Sequence, residues 1–341
     1  MSTVSLPPIE TSDYRELVER FRDANTRIRE QVRRVIVGQE EVVDHLLLTL
    51  WVGGHCLITG MPGTAKTLLV RTLAAALGLK FKRIQFTPDL MPTDVTGTDI
   101  IEEDVTTGHR KWTFVPGPIF TNVLLADEIN RTPPKTQAAL LEAMQEVSCT
   151  VRGTTYLLDP PFFVLATQNP IELEGTYPLP EAQLDRFLFN VILDYLNVPD
   201  EMEVVGRNTS GDLPSVDACT NAKEILAFQR LVKMVPIAES VTRYAVELFR
   251  ATRPVEANVP EAVGKYVNYG ASVRATQFLV LAAKARALTL GRYHVSYEDL
   301  RTLVLPVLRH RVLTNFHAES DGVSVDDILR RLLEAFPAPR E

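Results

Sequence analysis

Residues Gly60-Met61-Pro62-Gly63-Thr64-Ala65-Lys66-Thr67 fit the pattern G-x-x-x-x-G-K-[ST] at all positions but one. Ala65 stands where the last glycine belongs. In such a loop, successive backbone N–H groups and a helix N-terminus cradle phosphates. Lys66 would reach the β- and γ-phosphates, and the Thr67 hydroxyl would bind Mg2+. Alanine at position 65 is compatible with this loop at negative φ and is penalised in the left-handed region. A second group with chemistry is Asp127-Glu128, which ends the apolar run Val123–Ala126. Carboxylates at the C-terminal end of a parallel strand face the crevice where ligands bind. Asp127 would then hold Mg2+ through water, and Glu128 would polarise the attacking water. Taken alone, the pair reads equally well as a solvated acidic turn before the next helix; the phosphate loop favours the catalytic reading.

Three further residues are candidates on weaker grounds. Asn169 follows the apolar run Phe162–Ala166 and could orient water or touch the γ-phosphate, or could serve the turn before Pro170. Arg186 and Arg274 could each neutralise charge in the transition state, or could each form a surface ion pair.

These residues need a scaffold, and the hydrophobic pattern supplies one. His55–Thr59 is a short apolar run bounded by glycines, as in a buried parallel strand. A helix over Thr67–Leu77 follows the phosphate loop. Phe81–Phe86, Val123–Ala126, Phe162–Ala166 and Phe187–Leu193 are the other core strands, and a helix over Thr136–Glu146 lies between the middle two. Strands alternating with helices predict a doubly wound parallel sheet of five strands with helices on both faces. Two segments interrupt it as β-hairpins: Thr98–Val105 with His109–Val115 about a Thr107-Gly108 turn, and Cys149–Val151 with Thr154–Leu157 about Arg152-Gly153.

Upstream, Met1–Ile9 reads as a loose arm containing Pro7 and Pro8. Leu17, Phe21, Ala24, Ile28 and Val32 make one helical stripe, and a second helix covers about Glu40–Trp51. Beyond a loop at Gly211–Pro214 the chain is mainly helical, with capping-box starts at Ser296–Asp299 and Ser324–Asp327. Its apolar faces draw on Leu226, Leu231, Val246, Leu279, Leu281, Leu300, Leu303 and Leu329. The expected division is an arm and helix at 1–34, an α/β core at 35–196 and a helical domain at 197–341.

Composition limits the alternatives. The 341 residues are 45% hydrophobic and 23% charged, a globular mix that needs no disulfide or metal to hold a core. The formal net charge of -7 argues against tight unspecific nucleic-acid binding. Cys56, Cys149 and Cys219 form no Cys-x-x-Cys pair, and the six histidines show no metal-ligand spacing. They read as reduced thiols and structural rings in a cytoplasmic protein. The first residues are polar, so no signal peptide is expected, and no apolar run is long enough to span a bilayer.

The run from Leu124 to Glu146 and the run from Ala166 to Phe187 resemble the MoxR branch of the AAA+ ATPases. The resemblance extends from about Val35 to the C-terminus. It implies a P-loop AAA+ core with β-hairpin inserts and a helical lid. Val37, Gly38 and Gln39 match the segment near the adenine. The implied ATP-binding set adds Gly60, Met61, Pro62, Gly63, Thr64, Ala65, Lys66, Thr67 and Leu68. Asn169 matches sensor 1, Arg186 matches an arginine finger supplied to the neighbouring subunit's ATP, and Arg274 matches sensor 2. Val273 departs from the proline common before that arginine. The hairpins resemble inserts that border the central pore of similar rings. By resemblance the chain works with ATP and Mg2+ in a homo-oligomeric ring, most simply a hexamer, that remodels a protein client beside a von Willebrand factor A domain partner. A nucleic-acid motor or loader is the alternative, and the acidic balance speaks against it.

Overall fold

The computed structural model describes residues 11–103, 110–170, 175–211, 214–256 and 259–339, with side chains described from residue 14 and not at 208–210. The expected arm Met1–Ile9, the hairpin turn Thr107-Gly108 and part of the loop Gly211–Pro214 lie outside the described residues.

Among the described residues, nine strands precede the helical half: β1 Cys56–Gly60, β2 Phe81–Gln85, β3 Gly97–Glu103, β4 Arg110–Pro116, β5 Val123–Asp127, β6 Ser148–Val151, β7 Thr154–Leu157, β8 Phe163–Gln168 and β9 Phe189–Leu193. Five of them form one parallel sheet in the order β2-β5-β8-β1-β9. Every residue of β5 is buried, as expected of a strand covered on both faces. Side chains alternate across the sheet. Val123, Leu125, Phe163 and Leu165 enter one core, while Leu124, Ala126, Val164 and Ala166 enter the other.

The first core reaches far beyond the sheet. It takes in the N-terminal helix Thr11–Arg33 through Val18, Phe21, Ala24, Ile28 and Val32, with Leu17 only half-buried. It continues into the helices Ala222–Met234, Glu239–Arg250, Val273–Thr289, Tyr297–Leu308 and Val325–Ala335. Phe21, Trp51 and Phe228 meet edge-to-face at its centre, with ring centroids 5.2 to 5.7 Å apart. In Glu239–Arg250, Val246 is exposed, contrary to expectation; Val241, Tyr244, Ala245, Leu248 and Phe249 form the buried stripe instead. A short antiparallel pair, Val267–Tyr269 with Leu313–Thr314, was not expected, being too short to show a period.

The second core lies under the helix Pro134–Glu146 and the hairpin β6–β7. The hairpin β3–β4 stands out from the sheet. The two hairpins touch: Phe114 stacks on Tyr156 at 3.9 Å, and the Arg152 guanidinium sits 4.5 Å over the Trp112 ring. Among the described residues, no helix is long and apolar enough to cross a membrane.

Candidate nucleotide site

The phosphate loop leaves the C-terminal end of β1, whose neighbours β8 and β9 flank it on either side. That is where the strand order reverses, the place where open α/β sheets bind ligands. Gly60 allows the close approach of β9, since a Cβ there would meet the Leu193 carbonyl oxygen at 2.8 Å. Gly63 has φ of 82°, and the space beside it is open. The Thr64 hydroxyl donates to Met61 O at 2.8 Å, closing the loop. Lys66 Nζ donates to Gly60 O at 2.8 Å and to Met61 O at 2.7 Å, which holds the cation inside the loop. Lys66 is also the first residue of the helix Lys66–Ala76, and Thr67 the second, so both sit at its positive end.

Ala65 corrects the expectation. It adopts φ 57° and ψ 26°, the left-handed region, as the residue before that helix. The loop must turn its amides towards one point, and that turn requires a positive φ there. A Cβ in this region costs about 1–2 kcal/mol, and the surrounding loop carries that strain.

A cavity of about 280 Å3 adjoins the loop. Val37, Gln39, Gly63, Thr64, Ala65 and Leu68 line it, together with Val35, Ile36 and the β9 exit Leu193–Leu196. Gly38 and Gln39 both take positive φ, and the Gln39 amide donates to Asp194 O at 2.9 Å. The segment expected near the adenine is thus fastened to the end of β9. Met61 and Pro62 form the outer turn of the loop, and Pro62 is exposed.

The acidic pair closes β5. Asp127 is buried, and both its oxygens are engaged: Oδ1 accepts from the Thr167 hydroxyl at 2.6 Å, and Oδ2 accepts from Arg83 at 2.6 and 3.1 Å. Thr167 Oγ1 also accepts from the Glu128 amide at 2.8 Å. Glu128 has φ 57° and ψ 50°, and its carboxylate accepts from Gln85 Nε2 and Arg131 Nη1, each at 2.9 Å. Asn169 is buried just past the end of β8. Gly60, Asp127, Glu128 and Asn169 therefore meet at the C-terminal ends of adjacent parallel strands. Arg83, Gln85 and Thr167 were not singled out in the sequence. Parallel register is what reveals them: Gln85 pairs with Asp127, and Thr167 sits one residue beyond the Ala126–Ala166 pair.

Thr67 and Asp127 supply hard oxygen donors, a set that suits Mg2+ better than a softer ion. Among the described residues no group of three or more His, Cys, Asp or Glu side chains could hold a metal by itself. Cys56 and Cys149 are buried, and burial pushes their thiols up, away from reactivity. His55 is structural: the Val164 amide donates to Nδ1 at 3.1 Å, so Nε2 carries the proton towards Met144 O.

The two arginines lie elsewhere. Arg186 follows the short helix Glu181–Leu184 and precedes β9, at the N-terminal edge of the sheet; its Nη1 donates to Leu141 O at 2.9 Å. The length of β9 alone separates that edge from the phosphate loop by roughly 13 Å. Arg274 lies 3.5 Å from the carboxylate of Asp185, the residue before Arg186. Arg274 thus stands beside the turn that carries Arg186, and Arg186 lies at the end of β9 opposite the phosphate loop.

The chain is similar to known proteins in sequence and fold. Residues 55–189 match the family described as "ATPase family associated with various cellular activities (AAA)", and residues 260–332 match its lid domain. Chaperone MoxR1 of Mycobacterium tuberculosis is 42% identical over 316 residues, 91% of this chain and 81% of that one. Protein MoxR of Methylorubrum extorquens is 31% identical over 340 residues, 94% of this chain and 96% of that one. A crystal structure of a Cytophaga hutchinsonii protein, 41% identical, superposes with a TM-score of 0.89 over 98% of this chain and 100% of that one.

Proposed function

The chain belongs to the MoxR branch of the AAA+ ATPases, and from that membership we propose that it hydrolyses ATP in an oligomeric ring to remodel a protein client. The observation that carries this reading is the position of Lys66, Asp127, Glu128 and Asn169 at the C-terminal ends of adjacent strands, beside a cavity of about 280 Å3 lined by Val37, Gln39 and Leu68.

The loop amides and the helix start at Lys66 take up the phosphate charge. Lys66, held inside the loop by the Gly60 and Met61 carbonyls, supplies the cation for the β- and γ-phosphates. Mg2+, when bound with ATP, supplies further charge neutralisation, and Thr67 and Asp127 are the residues that would hold it. Glu128 orients and polarises the attacking water; Gln85 and Arg131 hold its carboxylate until substrate is in place. Asn169 acts from the neighbouring strand tip on the γ-phosphate or the water.

Arg186 sits too far from its own loop to serve it, which supports a role on the ATP of an adjacent copy. Arg274, paired to the same turn, belongs with that face. A hexameric ring, an α/β core at 35–196, a lid at 197–341, a cytoplasmic location and a partner with a von Willebrand factor A domain complete the proposal. The touching hairpins β3–β4 and β6–β7 form the part that grips the client.

The test is a pull-down with tagged, ATP-loaded Glu128→Gln protein from its native host. Recovery of a specific protein client, lost in Lys66→Ala, is expected. Recovery of nucleic acid with replication proteins would replace this reading by that of a nucleic-acid motor.

A further inference from the structure

We propose that Asp185 is a positioning residue that latches the turn carrying Arg186 to the C-terminal helical domain, so that this domain sets where Arg186 points. The proposal rests on the reading of Arg186 as a finger for a neighbour's ATP.

The Asp185 carboxylate is held from three directions, all by the C-terminal half of the chain. Arg311 Nε donates to Oδ1 at 2.8 Å. The Ser272 hydroxyl lies 3.1 Å from both oxygens. Arg274 Nη1 stands 3.5 Å from Oδ2. Ser272 is the N-cap of the helix Val273–Thr289, so the anion also sits at that helix's positive end.

Arg311 does more than pair with a carboxylate. Its side chain is 2% exposed, and its guanidinium also donates to the carbonyls of Asp185 at 3.0 Å, Leu188 at 3.2 Å, Phe187 and Val307. Three of those carbonyls bracket Arg186. The two residues before Arg311 continue the grip: His310 Nε2 donates to Phe187 O at 3.1 Å and Arg309 Nη1 to Asn190 O at 2.9 Å. Three consecutive residues thus hold the chain from 185 to 190. A buried guanidinium that lost its carboxylate would be left uncompensated, so the pair resists separation.

The mechanical consequence follows from β9. His310 and Arg311 bind the chain leading into β9, Arg309 binds Asn190 within it, and the strand's exit, Leu193–Leu196, lines the nucleotide cavity. One strand therefore joins the cavity to the finger turn, and the latch makes the helical domain part of the same body. A displacement of about 1 Å in a catalytic group can cost on the order of a hundred-fold in rate.

The test compares full-length Arg186→Ala, Asp185→Asn and the double variant, each measured for ATP turnover, nucleotide affinity and recovery on mixing with Lys66→Ala subunits. Asp185→Asn should slow turnover about 10- to 100-fold with nucleotide affinity unchanged. The double variant should be no slower than Arg186→Ala, because the two residues act through one group. Mixing with Lys66→Ala should restore activity to Asp185→Asn as it does to Arg186→Ala, an outcome that a general loss of stability would not produce. If Asp185→Asn does not fold, Ser272→Ala removes one neutral donor from the same carboxylate and should show a smaller loss with the same non-additivity. Wild-type turnover in Asp185→Asn, or in Ser272→Ala where it is the variant used, beside a slow Arg186→Ala overturns the latch alone. Independent, multiplying losses in the double variant do the same. Wild-type turnover in Arg186→Ala overturns the finger reading and the latch with it.

Discussion

The Thr167 hydroxyl donates to Asp127 Oδ1 at 2.6 Å while accepting from the Glu128 amide at 2.8 Å. One buried side chain on β8 thus fixes the carboxylate of one acidic residue and the backbone of the next. Thr167→Val keeps the shape and removes both bonds. Turnover should fall about 10- to 100-fold, as on removal of a group that orients a metal-binding carboxylate. Nucleotide affinity should change much less, because Lys66 and the loop amides are untouched. Parallel measurements of kcat and nucleotide Kd check this, and an unchanged kcat would remove Thr167 from the account.

Ala65 offers a test in the opposite direction. Glycine there loses the Cβ penalty of about 1–2 kcal/mol and incurs about 0.5–1 kcal/mol of extra chain entropy. Ala65→Gly should therefore stabilise the protein by up to about 1.5 kcal/mol. A denaturant midpoint moved upwards meets the expectation, and a lower midpoint would mean that the alanine methyl contributes packing of its own.

Acid should weaken the fold through its buried histidines. Burial lowers His45 and His55 to about 4 and draws His310 down as well. Their unfolded value is near 6.5, so between pH 6.5 and 4 the unfolded chain binds protons that the folded chain refuses. Stability is then full above pH 6.5 and is lost as the pH falls towards 4, with about 3 kcal/mol from each of His45 and His55. Denaturant titrations at several pH values should show this slope, and His55→Gln should flatten it. A stability constant from pH 7 to 4 would contradict it.

Much of the fold and of the site is legible in the sequence. Four of the five core strands announce themselves as apolar runs, while β2, Phe-Lys-Arg-Ile-Gln, buries only Ile84; the phosphate loop and Asp127-Glu128 have spacing that few other structures need. The capping boxes at Ser296 and Ser324 are local, so residues three apart suffice to read them. What could not be read depends on contacts between distant segments. Thr167, Arg83 and Gln85 gain their roles from strand register, 39 to 44 residues from their partners. Asp299 reads as a cap, yet it is also fully buried between Arg286 and Arg292, which no spacing rule foretells. Val246 fits an apolar count but falls on the outer face of its helix. The positive φ of Ala65 is set by the shape of the loop, and the residue type argued against it.

The most direct test of the central claim is ATP turnover measured beside nucleotide affinity in Glu128→Gln and Lys66→Ala. The account predicts that Glu128→Gln binds ATP as the parent does and turns it over at least about a hundred-fold more slowly, while Lys66→Ala loses ATP binding. Near-parental turnover in Glu128→Gln, or ATP affinity retained in Lys66→Ala, would contradict it.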